Sequence, residues 1–286
     1  MPSGIYGIRF SRDGRRIAVV TGRSWSDESI LILDAHEPDS HWTKVDANPQ
    51  FWKWEPSANI RFEWSPSGQH ILFGKKIVQV ADGKTCTLPY PGIFVGADQI
   101  ISYQPKPGRF SIYDLECRVV RVWQEFPDED RVDNYVASAE RGILAVTQDK
   151  VAKLQIVETR QSVVDIESHA AEARSRIPVL GDPQFADAGS ALCGSVYEAG
   201  HRTIECLEAN DGRVVGVSKG WDYPGVRPAL ASSRVVISDY TKSLDWIDLF
   251  WHPGSVRTRA IWDFHSGKEI ARWKPKTQKV FTGEFP

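Results

Sequence analysis

The densest set of metal-type ligands in this 286-residue chain is DAHEPDSHW (34–42), which holds Asp34, His36, Glu37, Asp39 and His41 within eight residues. Two imidazoles and a carboxylate can hold a divalent cation when a loop folds back on itself. No second cluster answers it, so the segment reads as a polar loop and no metal is expected. Nucleophilic chemistry is no better supported. GSALCG (189–194) lacks the Gly-x-Ser-x-Gly elbow, and HSGK (265–268) falls between two apolar runs, where it reads as a turn. EFPDEDRVD (125–133) gathers acids of the kind a paired-carboxylate mechanism needs, yet it sits between repeats and reads as a solvated rim. No Gly-rich loop precedes a helix, so a phosphate cradle has no sequence basis. Cys86, Cys117, Cys193 and Cys206 are scattered without a CxxC pair and read as free thiols of a reducing compartment. Cys193 and Cys206 fall on neighbouring expected strands, close enough to approach one another. No catalytic set and no cofactor are expected.

Composition narrows the classes further. The chain is 41% hydrophobic and 25% charged, ordinary values for a globular protein, with eleven Trp against one Met. Aromatic enrichment leans towards strands. The net charge is −2, with Lys and Arg spread along the chain, so the concentrated basic surface that grips nucleic acid is not expected. No run reaches the ~20 apolar residues of a membrane helix, and MPSGIYGIRFSRDG lacks a basic-then-apolar leader, so a cytoplasmic address is the expectation.

The elements that would position any site emerge as a repeat. From Phe10 to Ile17 an apolar residue is followed, seven positions on, by another, with turn residues between. The same ruler fits Trp64 to Ile71 around SPSGQH and Phe185 to Leu192 around ADAGSA, with Gly189 standing where Gly14 and Gly68 stand. Looser copies run from Ile93 to Ile100, Val136 to Ile143 and Pro228 to Val235. After each copy comes an alternating run that turns and restarts: 30–39, 77–88, 110–123, 153–166, 203–217 and 260–273. An acid recurs in it as Asp34, Asp114, Glu158, Glu208 and Asp263, with Ala81 the exception, and Asp82-Gly83, Asp211-Gly212 and Ser266-Gly267 mark tight turns.

Pro66 suits a type I turn, and the glycine after it supplies a left-handed position that a β-branched residue would resist. The flanks are rich in Val, Ile and aromatics, so each repeat supplies four strands in two hairpins. ESHAAEARSRIP (167–178) alone has helix-like composition and is expected to be a short helical connector. The reading is all-β: a β-propeller of about six recognisable four-stranded blades, or a seven-bladed ring cut short at its C-terminus. The single domain, 1–286, carries repeats near 4–45, 58–90, 91–125, 133–167, 179–218 and 225–273, with 274–286 a closing strand or the start of another blade.

FSRDGRRIA (10–18) and WSPSGQHIL (64–72) resemble the repeats of TolB-like propellers, and Trp262-Asp263 in AIWDFHSGKEIARW resembles the dipeptide that ends WD40-type repeats. The one Gly-His dipeptide, Gly200-His201, lies inside the fifth repeat and heads no repeat as it does in the WD40 family, so that family's buried Asp-His-Ser-Trp network is not carried over. The resemblance implies a rigid platform that binds a protein or peptide partner without catalysis. The alternatives are an enzyme using the central channel, in the manner of a hydrolase or lactonase, and an accessory propeller of a larger protein. Two aromatic segments are the candidate binding residues: Trp52 and Trp54 in the linker 41–57, and Trp246, Phe250 and Trp251 in the insertion 243–255.

Overall fold

The computed structural model describes residues 4–22, 28–36, 43–46, 62–125, 130–152, 155–166, 173–198, 201–222, 224–228, 232–240 and 256–274. Their strands form six four-stranded antiparallel sheets, each built from consecutive strands. They divide into two compact units, Met1–Arg131 and Val132–Pro286.

In the first unit, blade 1 is β1 (Gly4–Phe10), β2 (Arg16–Gly22), β3 (Glu28–Asp34) and β4 (Thr43–Asp46). Blade 2 is β5 (Phe62–Trp64), β6 (His70–Phe73), β7 (Lys76–Gln79) and β8 (Thr85–Thr87). Blade 3 is β9 (Gly92–Phe94), β10 (Ile100–Gln104), β11 (Arg109–Tyr113) and β12 (Val119–Glu125). Ala18, Val20, Ile30 and Ile32 of blade 1 pack on Ile71, Phe73 and Val78 of blade 2. Polar ties reinforce the stack: the Trp64 indole N–H donates to the Arg9 carbonyl (3.1 Å), and the Phe94 amide donates to the Glu63 carboxylate (2.8 Å).

In the second unit, blade 4 is β13 (Asp130–Ser138), β14 (Ile143–Ala152), β15 (Gln155–Asp165) and β16 (Ala173–Ile177). Blade 5 is β17 (Gly181–Ala186), β18 (Ala191–Glu198), β19 (His201–Glu208) and β20 (Val214–Trp221). Blade 6 is β21 (Pro224–Pro228), β22 (Arg234–Tyr240), β23 (Val256–Asp263) and β24 (Lys268–Trp273). Ile204, Cys193 and Cys206 of blade 5 share one core with Val235, Ile237, Trp262 and Phe264 of blade 6. In both units the first strands of neighbouring blades lie side by side, β1 by β5 and β17 by β21, which puts first strands at the inner edge and fourth strands outside.

The turn chemistry follows the repeat. Gly14, Gly68 and Gly189 all have φ between 69° and 85°, the left-handed region that a Cβ disfavours. The amides of Gly14 and Gly68 close their turns on the carbonyls of Ser11 and Ser65, both at 2.9 Å.

Three expectations are corrected. Within the stretch expected to be a helical connector, the described part is not helical: Ala173–Ile177 is β16, the outer strand of blade 4, because pairing with β15 outweighs weak helix propensity, and 167–172 lie outside the described residues. The recurring acid of the fourth repeat is not Glu158, which lies inside β15. Asp165 ends that strand opposite Ile143, as Asp34 ends β3 opposite Arg16. The cysteines are not free thiols: Cys86 pairs with Cys117 and Cys193 with Cys206. The second bond is a cross-strand link, since Cys193 and Cys206 are direct partners on β18 and β19.

Candidate interaction surface

The recurring acids are clasps for turns. Asp34 accepts the His36 amide (2.9 Å), and Asp114 accepts those of Glu116 (3.0 Å) and Arg118 (2.8 Å). Asp263 accepts the Ser266 amide (2.9 Å) and the Ser233 hydroxyl (3.1 Å). In the second repeat, where Ala81 breaks the pattern, Asp82 accepts the Lys84 amide (3.0 Å). Each carboxylate thus satisfies amides that a tight turn leaves without strand partners. Their acidity follows. The Ser266 amide holds Asp263 below the usual carboxylate range, and the Ser11 hydroxyl does the same for Asp13. At Asp114 burial works the other way, but the Arg118 amide and guanidinium overcome it.

The segments considered for chemistry take the following places among the described residues. HSGK is the β23–β24 turn held by Asp263, with His265 stacked beside Phe264 at 4.6 Å between ring centres. GSALCG leads into β18, and Asp130–Asp133 of the acidic stretch belong to β13. Of the metal-type set, Asp34 accepts the His36 amide through one carboxylate oxygen, and Glu37, Asp39 and His41 lie outside the described residues.

In a four-stranded meander, the first and third connections leave one end of the sheet; the second connection and the exit to the next blade leave the other. The first end carries the turns clasped by acids. The opposite end carries short connections too, between β6 and β7, β14 and β15, and β18 and β19, together with two long ones: 47–61 follows β4, and 241–255 separates β22 from β23. Trp52, Trp54, Trp246, Phe250 and Trp251 fall in these two connections and lie outside the described residues.

The described residues at that end add aromatic and basic groups which the sequence did not single out. In the first unit, Lys75 Nζ sits 5.6 Å from the Tyr90 ring centre, and Gln104 accepts from Arg109 Nε (2.9 Å) while donating to the Lys106 carbonyl (2.7 Å). In the second, Tyr197 is 71% exposed at the β18–β19 hairpin with the Arg202 guanidinium 5.9 Å from its ring. Arg272 covers the buried Trp221 ring at 4.7 Å and pairs with Glu269 at 2.6 Å. The Glu269 carboxylate raises the Arg272 pKa, so this cation stays fixed in charge. Trp273 is exposed beside it. The available signal was a Tyr and an Arg flanking the hairpin tip in VYEAGHRT (196–203).

Two buried carboxylates also lie at the long-connection end of the second unit. Asp149 accepts the Thr159 hydroxyl (2.7 Å), and Asp239 accepts the Asp222 amide (3.1 Å). Next to the first pair, Gln161 donates to Thr147 (2.9 Å) and accepts the Leu180 amide (2.8 Å), tying blade 4 to the segment entering blade 5.

No family model matches the chain, and no curated protein matches it. Solved structures do. The β-propeller domain of Cps50 (Swd1) from Myceliophteria thermophila is 15% identical with a TM-score of 0.60, over 96% of this chain and 90% of that one. An oligogalacturonate lyase in complex with manganese is 12% identical with a TM-score of 0.59, over 98% of this chain and 79% of that one. A prolyl endopeptidase is 10% identical with a TM-score of 0.62, over 96% of this chain but only 43% of that one. These likenesses show the fold, a β-propeller, with six four-stranded blades among the described residues.

Proposed function

We propose that the chain is a non-catalytic interaction module that receives a protein or peptide partner at the long-connection end of its blades. The observation that carries this reading holds within each unit: the clasped turns leave one end of the blades, while an aromatic connection, 47–61 in the first unit and 241–255 in the second, leaves the opposite end. Tyr, Trp and Arg supply much of the binding energy in protein interfaces, and Tyr197, Arg202 and Trp273 stand at that same end. The Swd1 likeness is to a propeller domain, which fits this use.

Alanine at Trp246 and Trp251 should abolish co-purification of a partner captured by the wild-type chain, with the thermal transition unchanged. Retained capture would remove these residues from the surface. Trp52→Ala with Trp54→Ala tests the other connection in the same way.

An enzymatic reading draws on the likeness to the lyase and would use Asp149 and Asp239, the buried carboxylates at that end. Accessory use within a larger protein draws on the endopeptidase, of which this fold covers 43%. The two disulfides favour an oxidising compartment over the cytoplasm that the sequence suggested. Among the described residues no helix is long and apolar enough to cross a membrane.

A further inference from the structure

The two disulfides occupy opposite environments. Cys193 and Cys206 are fully buried, inside the core that blade 5 shares with blade 6. Cys86 and Cys117 are both half-exposed. Cys86 is the centre of β8, the outer strand of blade 2, and Cys117 sits in the β11–β12 turn of blade 3, so their bond joins two blades across 31 residues of chain.

The hold on β8 is otherwise thin. It has three residues, Thr85 and Thr87 are exposed, and it pairs only with Lys76–Val78 of β7. The next firm anchor is Leu88, which is buried and whose amide donates to the Lys75 carbonyl at 2.8 Å. The turn carrying Cys117 is held independently of the bond. Asp114 accepts the Glu116 and Arg118 amides, its carbonyl accepts the Cys117 amide (3.1 Å), and the Arg118 guanidinium binds both Asp114 and Glu116. Cys117 itself has φ 63°, a left-handed conformation that a non-glycine residue adopts at some cost. The Cys86 sulfur lies 3.3 Å from the Leu115 carbonyl, so as a thiol it has an acceptor in place.

We infer that Cys86–Cys117 is a redox-sensitive clamp whose reduction releases β8 and opens the outer edge of blade 2, while Cys193–Cys206 stays oxidised inside the core. A dithiol reductant supplies the chemistry. One thiolate attacks a sulfur of the pair, the Cys86–Cys117 bond breaks, and a mixed disulfide forms. The second thiolate of the reductant then displaces the remaining cysteine, leaving two protein thiols and one oxidised reductant, with two electrons and two protons transferred. Access of the attacking thiolate decides which bond reacts, and only this bond is reachable without opening a blade.

The test treats the folded protein with dithiothreitol, traps thiols with iodoacetamide and locates them by peptide mass spectrometry, with amide hydrogen exchange run in parallel. The clamp requires alkylation at Cys86 and Cys117 alone, far-ultraviolet dichroism unchanged, and faster exchange confined to residues 76–78 and 85–87. The Cys86→Ser/Cys117→Ser variant should reproduce that exchange pattern without reductant. Alkylation of all four cysteines together, no alkylation short of denaturant, unfolding on reduction, or thiols released with unchanged exchange at 85–87 would each overturn it.

Discussion

Replacing Phe110 by alanine tests the packing of the first unit most directly. Phe110 is fully buried in β11, its ring centre 5.1 Å from that of Tyr103 and 5.8 Å from that of Trp123, the latter edge-on. A buried phenylalanine withdraws about 200 Å² from water, which at ~25 cal/mol per Å² is worth about 5 kcal/mol. Alanine retains roughly a third of that, so transfer alone costs about 3 kcal/mol. The cavity and the lost ring contacts add about 1 kcal/mol, which places the sum inside the ~3–5 kcal/mol range for Phe→Ala in cores. Phe10, in β1 of the same unit, is 62% exposed, and its replacement should stay within about 0.5 kcal/mol of wild type. Urea unfolding followed by tryptophan fluorescence measures both, with Trp123 an adjacent reporter. A loss below about 1 kcal/mol at Phe110, or equal losses at both sites, would refute the burial reasoning.

Further outcomes follow from single positions. Burial holds the His70 pKa below its ordinary value, although the charges of Asp98, Glu116 and Asp82 pull it upward. The neutral ring is therefore favoured in the fold, so its contribution is fully present above pH ~6.5 and declines as pH falls through the lower, folded value. Relative to His70→Asn, the wild type should lose urea resistance on acidification below pH ~6.5, and a folded-state titration above that value would contradict this. A Cβ at Gly216 would lie 2.6 Å from the Phe264 carbonyl oxygen and 3.0 Å from the Trp262 ring, so Gly216→Val should destabilise by about 1–3 kcal/mol in chemical denaturation. Tyr197→Ala, by contrast, should leave the unfolding midpoint unchanged and weaken partner capture, since this exposed ring contributes little to the core.

The turns were the most legible part of the chain. An apolar residue, a Ser or Asp, and a glycine at fixed spacing describe a local geometry, and the left-handed values at Gly14, Gly68 and Gly189 realise it. Asp34, Asp114 and Asp263 were visible for the same reason, because each serves amides within four residues of itself or closes on its own turn. The fourth repeat misled because β14 and β15 are ten and eleven residues long, with a register shift between Lys150 and Val151 that no local signal announces. Glu158 therefore took the place that belongs to Asp165. Cys193 and Cys206 were readable as neighbours because one hairpin sets both. Cys86 and Cys117 were not, since their meeting depends on how blade 3 stacks on blade 2. The aromatic connections that the sequence offered lie outside the described residues, and the Arg272–Trp221 contact, which joins blades 5 and 6, has no sequence signature.

Among the described residues each sheet is drawn from one contiguous stretch, with no strand lent from a distant part of the chain. The longest wait within a blade is thus the passage of its own four strands. During synthesis a blade can pair its hydrogen bonds as soon as those strands have left the ribosome, and the next can condense on a face already formed. Nascent chains arrested after β8, β12 or β20 should accordingly show protease-resistant fragments that lengthen blade by blade.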